Sequence, residues 1–122
     1  MKDQRFIGTG VAIITPFKNN EVDYPSLANI IDHVINGGVN YIVALGSTGE
    51  TATLNEAEAR DILDFCIKHI NNRVPLVAGN FGGNDTKELV KKIKDYNFDG
   101  VSAILSSSPA YIKPSQEGIY RH

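Results

Sequence analysis

The chain has 122 residues, 42% of them hydrophobic, and a formal net charge of −2 at pH 7. Nucleic acids and anionic membranes favour partners with a clear basic excess, so this charge disfavours both as partners. Cys66 is the only cysteine, which excludes an intramolecular disulfide and favours a reducing compartment. The start has no signal-peptide core, and no apolar run approaches the roughly 20 residues of a membrane span. The expected location is the cytoplasm.

Short apolar segments alternate with amphipathic ones along the chain. The predicted strands are residues 10–17, 41–46, 74–79 and 100–105. Apolar residues at helical spacing predict helices over residues 27–35, 54–70 and 85–97, and a fourth that begins near Ser115. Asn55 is placed to cap the second helix, with Glu58 three positions on to complete a capping box. In the third helix we expect Leu89, Val90 and Ile93 to face inward.

Strands that are apolar on both faces, each followed by an amphipathic helix, indicate an α/β fold with a parallel sheet. Two architectures are compatible with this pattern. A doubly wound sheet suits the length, whereas a (βα)8 barrel needs about 250 residues. The last segment stops inside its helix, which a finished doubly wound domain would seldom do. The alternative is therefore that residues 1–122 form a single half-barrel domain from a longer protein.

The carboxyl ends of the four predicted strands carry small polar residues. Thr15 lies at the end of the first strand, and the sequence Gly46-Ser47-Thr48-Gly49-Glu50 begins at the end of the second. Such hydroxyls and glycines suit a small oxygen-rich ligand, and without a basic residue there a carboxylate or carbonyl compound is favoured over a phosphate. Ser47 and Thr48 could equally be turn formers or helix caps, and Glu50 a helix-start residue. The scattered histidines and carboxylates predict no metal site, and Cys66 is expected in the core.

Three segments together carry a family resemblance: GVAIITPF, GSTGE followed by TLNEAE, and SPAYIKPSQEGIY. In this order and spacing they resemble the dihydrodipicolinate synthase / N-acetylneuraminate lyase family of Schiff-base aldolases, and the second and third look more like the synthase branch. The resemblance implies the N-terminal half of a TIM (βα)8 barrel with four strands, three helices and the start of a fourth. It implies a lyase that condenses pyruvate with aspartate semialdehyde in lysine and diaminopimelate synthesis, without a cofactor or metal.

The resemblance also implies roles for individual residues. Ser47 would belong to a proton relay, and Thr48 would hold the carboxylate of pyruvate. Tyr111 would be the relay tyrosine that reaches into the neighbouring subunit of a homo-oligomer. The supporting loop positions would be Thr15, Gly46, Gly49 and Glu50.

The family's Schiff-base lysine lies on the sixth strand, and this chain contains no strand beyond the fourth. Lys18 and Lys113 are the lysines nearest to strand ends, and neither is expected in a strand. We therefore predict that the 122 residues alone are inactive. Three alternatives stay open: the N-acetylneuraminate lyase or 2-keto-3-deoxy sugar acid aldolase branch, a non-catalytic half-barrel that self-associates, and an unrelated doubly wound ligand-binding domain.

Overall fold

The computed structural model describes residues 3–122. Its strands are β1 (Gly10–Ala12), β2 (Phe17–Lys18), β3 (Glu21–Val22), β4 (Tyr41–Ala44), β5 (Leu76–Ala78) and β6 (Ala103–Ile104). Its α-helices are α1 (Tyr24–Asn36), α2 (Glu56–Ile70), α3 (Thr86–Asp95) and α4 (Gln116–Arg121), with short 3-10 helices at Gln4–Phe6 and Thr51–Thr53. The four predicted strands and the predicted helices are all present, and the strands are shorter than expected.

The main sheet has the order β1-β4-β5-β6, and all its neighbouring strands are parallel. Ile42 is in register with Val11 and Leu76, so these three side chains share one face of the sheet. That face packs against α1 and α2, whose Ile31 and Leu63 are fully buried. The helices therefore cover one face and leave the strand ends to carry the loops.

Side-chain caps fix where the helices begin. Asp23 accepts a hydrogen bond from the Ser26 amide at 3.2 Å at the start of α1. The predicted capping box of α2 is confirmed: the Glu58 amide donates to Asn55 Oδ1, and the Asn55 amide donates to Glu58 Oε2, both at 2.9 Å. Ser115 caps α4 by accepting from the Gly118 amide at 3.1 Å. These caps satisfy helix-end N–H groups that have no partner within the helix.

The antiparallel pair β2 and β3 was not predicted. Asn19 and Asn20 connect the two strands with φ angles of 54° and 63°. Asparagine tolerates this left-handed conformation better than most residues, so the Asn-Asn pair was a usable turn signal. The expectation that Lys18 lies in no strand is wrong, because Lys18 belongs to β2. This strand is outside the main sheet.

The inward prediction for the third helix is right for Leu89 and wrong for Val90. Leu89 is buried, whereas Val90 is 43% exposed. Val90 lies one residue, or about 100°, around the helix from Leu89, and Lys87 and Lys94 flank it on that side. Within residues 3–122, each helix falls short of the length and apolar character needed to cross a membrane.

Candidate active site at the carboxyl ends of the strands

Because the four strands of the main sheet are parallel, the loops that follow them lie at one edge. The structure brings Thr15, the loop Gly46–Glu50, the loop after β5 and the segment after β6 to this edge. These are the segments that the sequence analysis selected.

The loop Gly46–Glu50, which we call the hydroxyl loop, consists of two overlapping turns. The Gly49 amide donates to the Gly46 carbonyl at 3.0 Å, and the Glu50 amide donates to the Ser47 carbonyl at 3.1 Å. Leu45, which precedes the loop, and Glu50, its last residue, have left-handed backbones with φ of 60° and 56°. Ser47 and Thr48 are consequently exposed at the tip, while Gly46 and Gly49 are buried at the base.

The hydroxyl loop is anchored by β1 on one side. The buried Thr15 donates from Oγ1 to the Gly49 carbonyl at 2.7 Å. Gly49 leaves little room for a side chain, since a Cβ there would lie 3.1 Å from the Leu45 amide nitrogen and 3.3 Å from the Ile13 carbonyl oxygen. The hydrogen bond between Thr15 and Gly49 fixes the backbone at the base of the hydroxyl loop.

On the other side the loop is anchored by the end of β5. The Gly79 amide donates to the Ala44 carbonyl at 2.8 Å. A Cβ on Gly79 would lie 2.7 Å from the Gly46 nitrogen, closer than such contacts normally occur. The backbones of Gly46 and Gly79 therefore touch, and this approach requires a glycine at position 79.

The segment after β6 is held more loosely. The Ala110 amide donates to Asn84 Oδ1 at 2.8 Å, and Ser107 packs against Gly82. Tyr111 has a φ of 70° and a side chain that is 97% exposed. Among the hydrogen bonds of residues 3–122, none joins the Tyr111 hydroxyl to Ser47 or Thr48, and all three residues are exposed.

Neither a reactive thiol nor a metal site is found among the described residues. Cys66 is fully buried on α2, and burial raises the pKa of its thiol to about 12, so it is a core residue as predicted. Within residues 3–122, no three His, Cys, Asp or Glu side chains come together as a metal site would require. The exposed hydroxyls of Ser47 and Thr48 can donate hydrogen bonds to a small anion.

Lys92 lies near the candidate site and was not predicted from the sequence. Its Nζ lies 2.8 Å from the Asn80 carbonyl oxygen and 3.0 Å from Glu56 Oε2. It also lies 5.2 Å from the centre of the Phe81 ring. The available signal was its position three residues after Leu89 and one before Ile93, beside the apolar stripe of α3.

Comparison with known proteins identifies the family. Residues 5–122 match the model of the dihydrodipicolinate synthetase family. A 4-hydroxy-tetrahydrodipicolinate synthase of Parabacteroides distasonis is 48% identical over 123 residues, which cover 100% of this chain and 41% of the relative. The crystal structure of a dihydrodipicolinate synthase from Thermotoga maritima is 36% identical, with a TM-score of 0.90 over 98% of this chain and 40% of that one.

A third similar protein was solved with a ligand. It is a prophage protein of Escherichia coli K12 that belongs to the dihydrodipicolinic acid synthase family, in complex with pyruvate. It is 32% identical, with a TM-score of 0.85 over 95% of this chain and 39% of that chain.

The chain thus spans about 40% of the length of the relatives it matches. The predicted fold class is confirmed: the α/β arrangement of four parallel strands corresponds to the N-terminal half of a TIM barrel. The family match covers nearly all of the sequence. The chain therefore belongs to the dihydrodipicolinate synthetase family.

Proposed function

We propose that this chain forms the pyruvate-holding part of a 4-hydroxy-tetrahydrodipicolinate synthase, the lyase that condenses pyruvate with aspartate semialdehyde in lysine and diaminopimelate synthesis. The observation that carries the proposal is the hydroxyl loop, which presents Ser47 and Thr48 from a base fixed by Thr15 and Gly79. The names of the relatives favour the synthase over the N-acetylneuraminate lyase or 2-keto-3-deoxy sugar acid aldolase branch. The pyruvate complex of the Escherichia coli protein supports the choice of keto acid.

In the proposed reaction a lysine amine attacks the carbonyl carbon of pyruvate, water leaves, and a Schiff base forms. Loss of a proton from the methyl group then gives an enamine, whose carbon attacks the aldehyde and forms the new carbon–carbon bond. Thr48 would hold the pyruvate carboxylate by its hydroxyl and backbone N–H. Ser47 and Tyr111 would pass the protons, with Tyr111 acting across a subunit interface of a homo-oligomer.

The nucleophilic lysine has to come from outside the part of the chain described here. Within residues 3–122, no lysine lies in the main sheet. Lys18 and Lys113 are exposed, and Lys92 is paired with Glu56. A Schiff-base lysine needs a desolvated site that lowers its pKa. We therefore expect no synthase activity and no borohydride-trapped pyruvate adduct, read by intact mass, for the 122 residues alone.

A chimera tests the proposal. The matched segment of the Parabacteroides distasonis synthase is replaced by this chain, so that the rest of that enzyme supplies the remaining strands. We expect an active enzyme in which Ser47→Ala and Tyr111→Phe slow condensation by about tenfold to a hundredfold, because each removes a proton-transfer group. Thr48→Val should raise the KM for pyruvate.

Matched controls keep this test specific. Tyr120→Phe changes another exposed tyrosine, and Ser108→Ala another exposed serine at the same edge of the sheet. Both variants should keep the rate of the unmodified chimera. Unchanged rates in Ser47→Ala and Tyr111→Phe would show that the relay assignment is wrong, and an inactive but folded chimera would contradict the proposed function.

A second candidate function is favoured by exposed apolar side chains. Ile14, Leu105 and Ile112 are each more than half exposed, and the outer edges of β1 and β6 carry no further strand among the described residues. Such surfaces promote association. We propose that residues 1–122 act as one half-barrel domain that self-associates without turnover. Light scattering after size-exclusion chromatography should show an oligomer, and a folded monomer at high concentration would contradict this.

A further inference from the structure

Lys92 is the lysine of the described chain that forms an ion pair. α3 carries four lysines, and the other three, Lys87, Lys91 and Lys94, are exposed. The side chain of Lys92 is 25% exposed and reaches from α3 to two other segments. Those two segments are the ones that flank the hydroxyl loop.

The first segment is the loop after β5. The Lys92 ammonium group donates to the Asn80 carbonyl, and it lies against the ring of Phe81, which is fully buried. Asn80 directly follows Gly79, whose backbone touches Gly46. A displacement of Asn80 is therefore passed to the first residue of the hydroxyl loop.

The second segment is the start of α2. Glu56, the partner of Lys92 in the ion pair, is the first residue of this helix. Only the 3-10 helix Thr51–Thr53, Leu54 and the cap residue Asn55 separate it from Glu50. Lys92 thus contacts two segments that adjoin the hydroxyl loop. Asn80 follows Gly79, which lies against Gly46 in space, and Glu56 follows Glu50 along the chain.

A cleft of about 370 Å³ lies between these two segments, bordered by Thr51, Glu56, Gly79, Asn80 and Ser107 as well as Lys92. Across this cleft a charged donor that binds both sides supplies a constraint. A hydrogen bond from a charged group to a half-buried carbonyl is stronger than a neutral one.

We propose that Lys92 is a positioning residue of the candidate active site. Its ammonium group fixes the loop after β5 and the start of α2 at a set separation, and this sets the geometry of the hydroxyl loop. This role rests on the proposed function and extends it. It concerns the orientation of Ser47 and Thr48, not whether these residues bind pyruvate.

Amide hydrogen exchange of the 122-residue chain tests the role without any substrate. Lys92→Met keeps the aliphatic stem and removes the charge, and Lys91→Met is the matched control on the exposed side of α3. We expect Lys92→Met to speed exchange at residues 46–50 and 79–81 by about tenfold, with the buried core of α1 unchanged. Lys92→Arg should restore slow exchange in part, because it keeps the charge and can reach both oxygens.

Each outcome decides the point. Faster exchange at the two loops alone, absent in Lys91→Met, supports the positioning role. A uniform increase that includes α1 would mean that Lys92 only stabilises the fold, and unchanged loop exchange would overturn the proposal.

If Lys92→Met does not fold alone, the chimera gives the second measurement. An increase in the KM for pyruvate that exceeds the decrease in kcat supports positioning, and unchanged kinetics overturn it. Amide exchange does not depend on pyruvate chemistry. The positioning role can therefore be tested even if the proposed function is wrong.

Discussion

The hydroxyl loop and the segment 106–113 carry the residues proposed to act together, yet the protein holds them differently. The hydroxyl loop has a buried hydrogen bond from Thr15 on one side and the backbone of Gly79 on the other. In the segment after β6, Asn84 anchors the Ala110 amide and most side chains are exposed. Both contain left-handed residues, with φ of 60° at Leu45 and 70° at Tyr111.

The difference shows which part of the candidate site this chain builds by itself. A strained backbone persists where the surrounding structure over-determines it. Leu45 satisfies that condition because it is buried among core residues, whereas the Tyr111 side chain is almost fully exposed. We therefore expect the donor geometry of Ser47 and Thr48 to form within the chain, and the position of Tyr111 to depend on contacts with another polypeptide or segment.

The largest expected effect comes from two leucines that each directly follow a strand. Leu45 follows β4 and is 1% exposed, whereas Leu105 follows β6 and is 54% exposed. Leu45→Ala should lower the free energy of unfolding by about 2–5 kcal/mol through lost burial and a residual cavity. Leu105→Ala should change it by less than about 0.5 kcal/mol. Urea unfolding of both variants makes the comparison, and equal losses would show that the two regions are equally well packed.

A smaller effect should distinguish two glycines that touch each other at the base of the hydroxyl loop. Gly79→Ala puts a methyl group against the Gly46 backbone and should cost about 1–3 kcal/mol. At Gly46 a Cβ would meet only the Val43 side chain, at an ordinary 3.8 Å. Gly46→Ala should therefore be nearly neutral. Thermal unfolding measures both, and the prediction fails if Gly46→Ala is the more destabilising change.

The smallest effect concerns the helices that support the hydroxyl loop. The Arg73 guanidinium and the His69 ring beside Asp32 hold the pKa of that carboxyl below its usual value. Because the pKa of Asp32 is lower in the folded than in the unfolded protein, its ionised form stabilises the fold at pH values above the unfolded pKa. This contribution is lost as the pH falls below about 4 toward the pKa of the folded protein. Asp32→Asn should therefore narrow the difference in unfolding midpoint between pH 7 and pH 3. The exposed Asp99→Asn serves as the control and should keep the wild-type difference.

Much of the fold followed from local chemistry. Alternating apolar and amphipathic segments gave four strands and their helices, and the Asn55–Glu58 spacing correctly predicted a capping box. Long apolar runs do not predict the β2–β3 pair, because each of its strands has only two residues. Val90 was misassigned because an apolar residue at the border of a helical stripe can face either way, and in the fold it lies on the exposed side beside Lys87 and Lys94.

The sequence by itself determined the order of the elements, the family and the loops in which the candidate residues lie, because these depend on patterns between near neighbours along the chain. Only the tertiary structure decided that Thr15 binds Gly49, that Gly79 touches Gly46, and that Lys92 joins α2 to the loop after β5. Those contacts join residues 12 to 36 positions apart, and which of many possible distant pairs meets is set by the packing of the helices on the sheet.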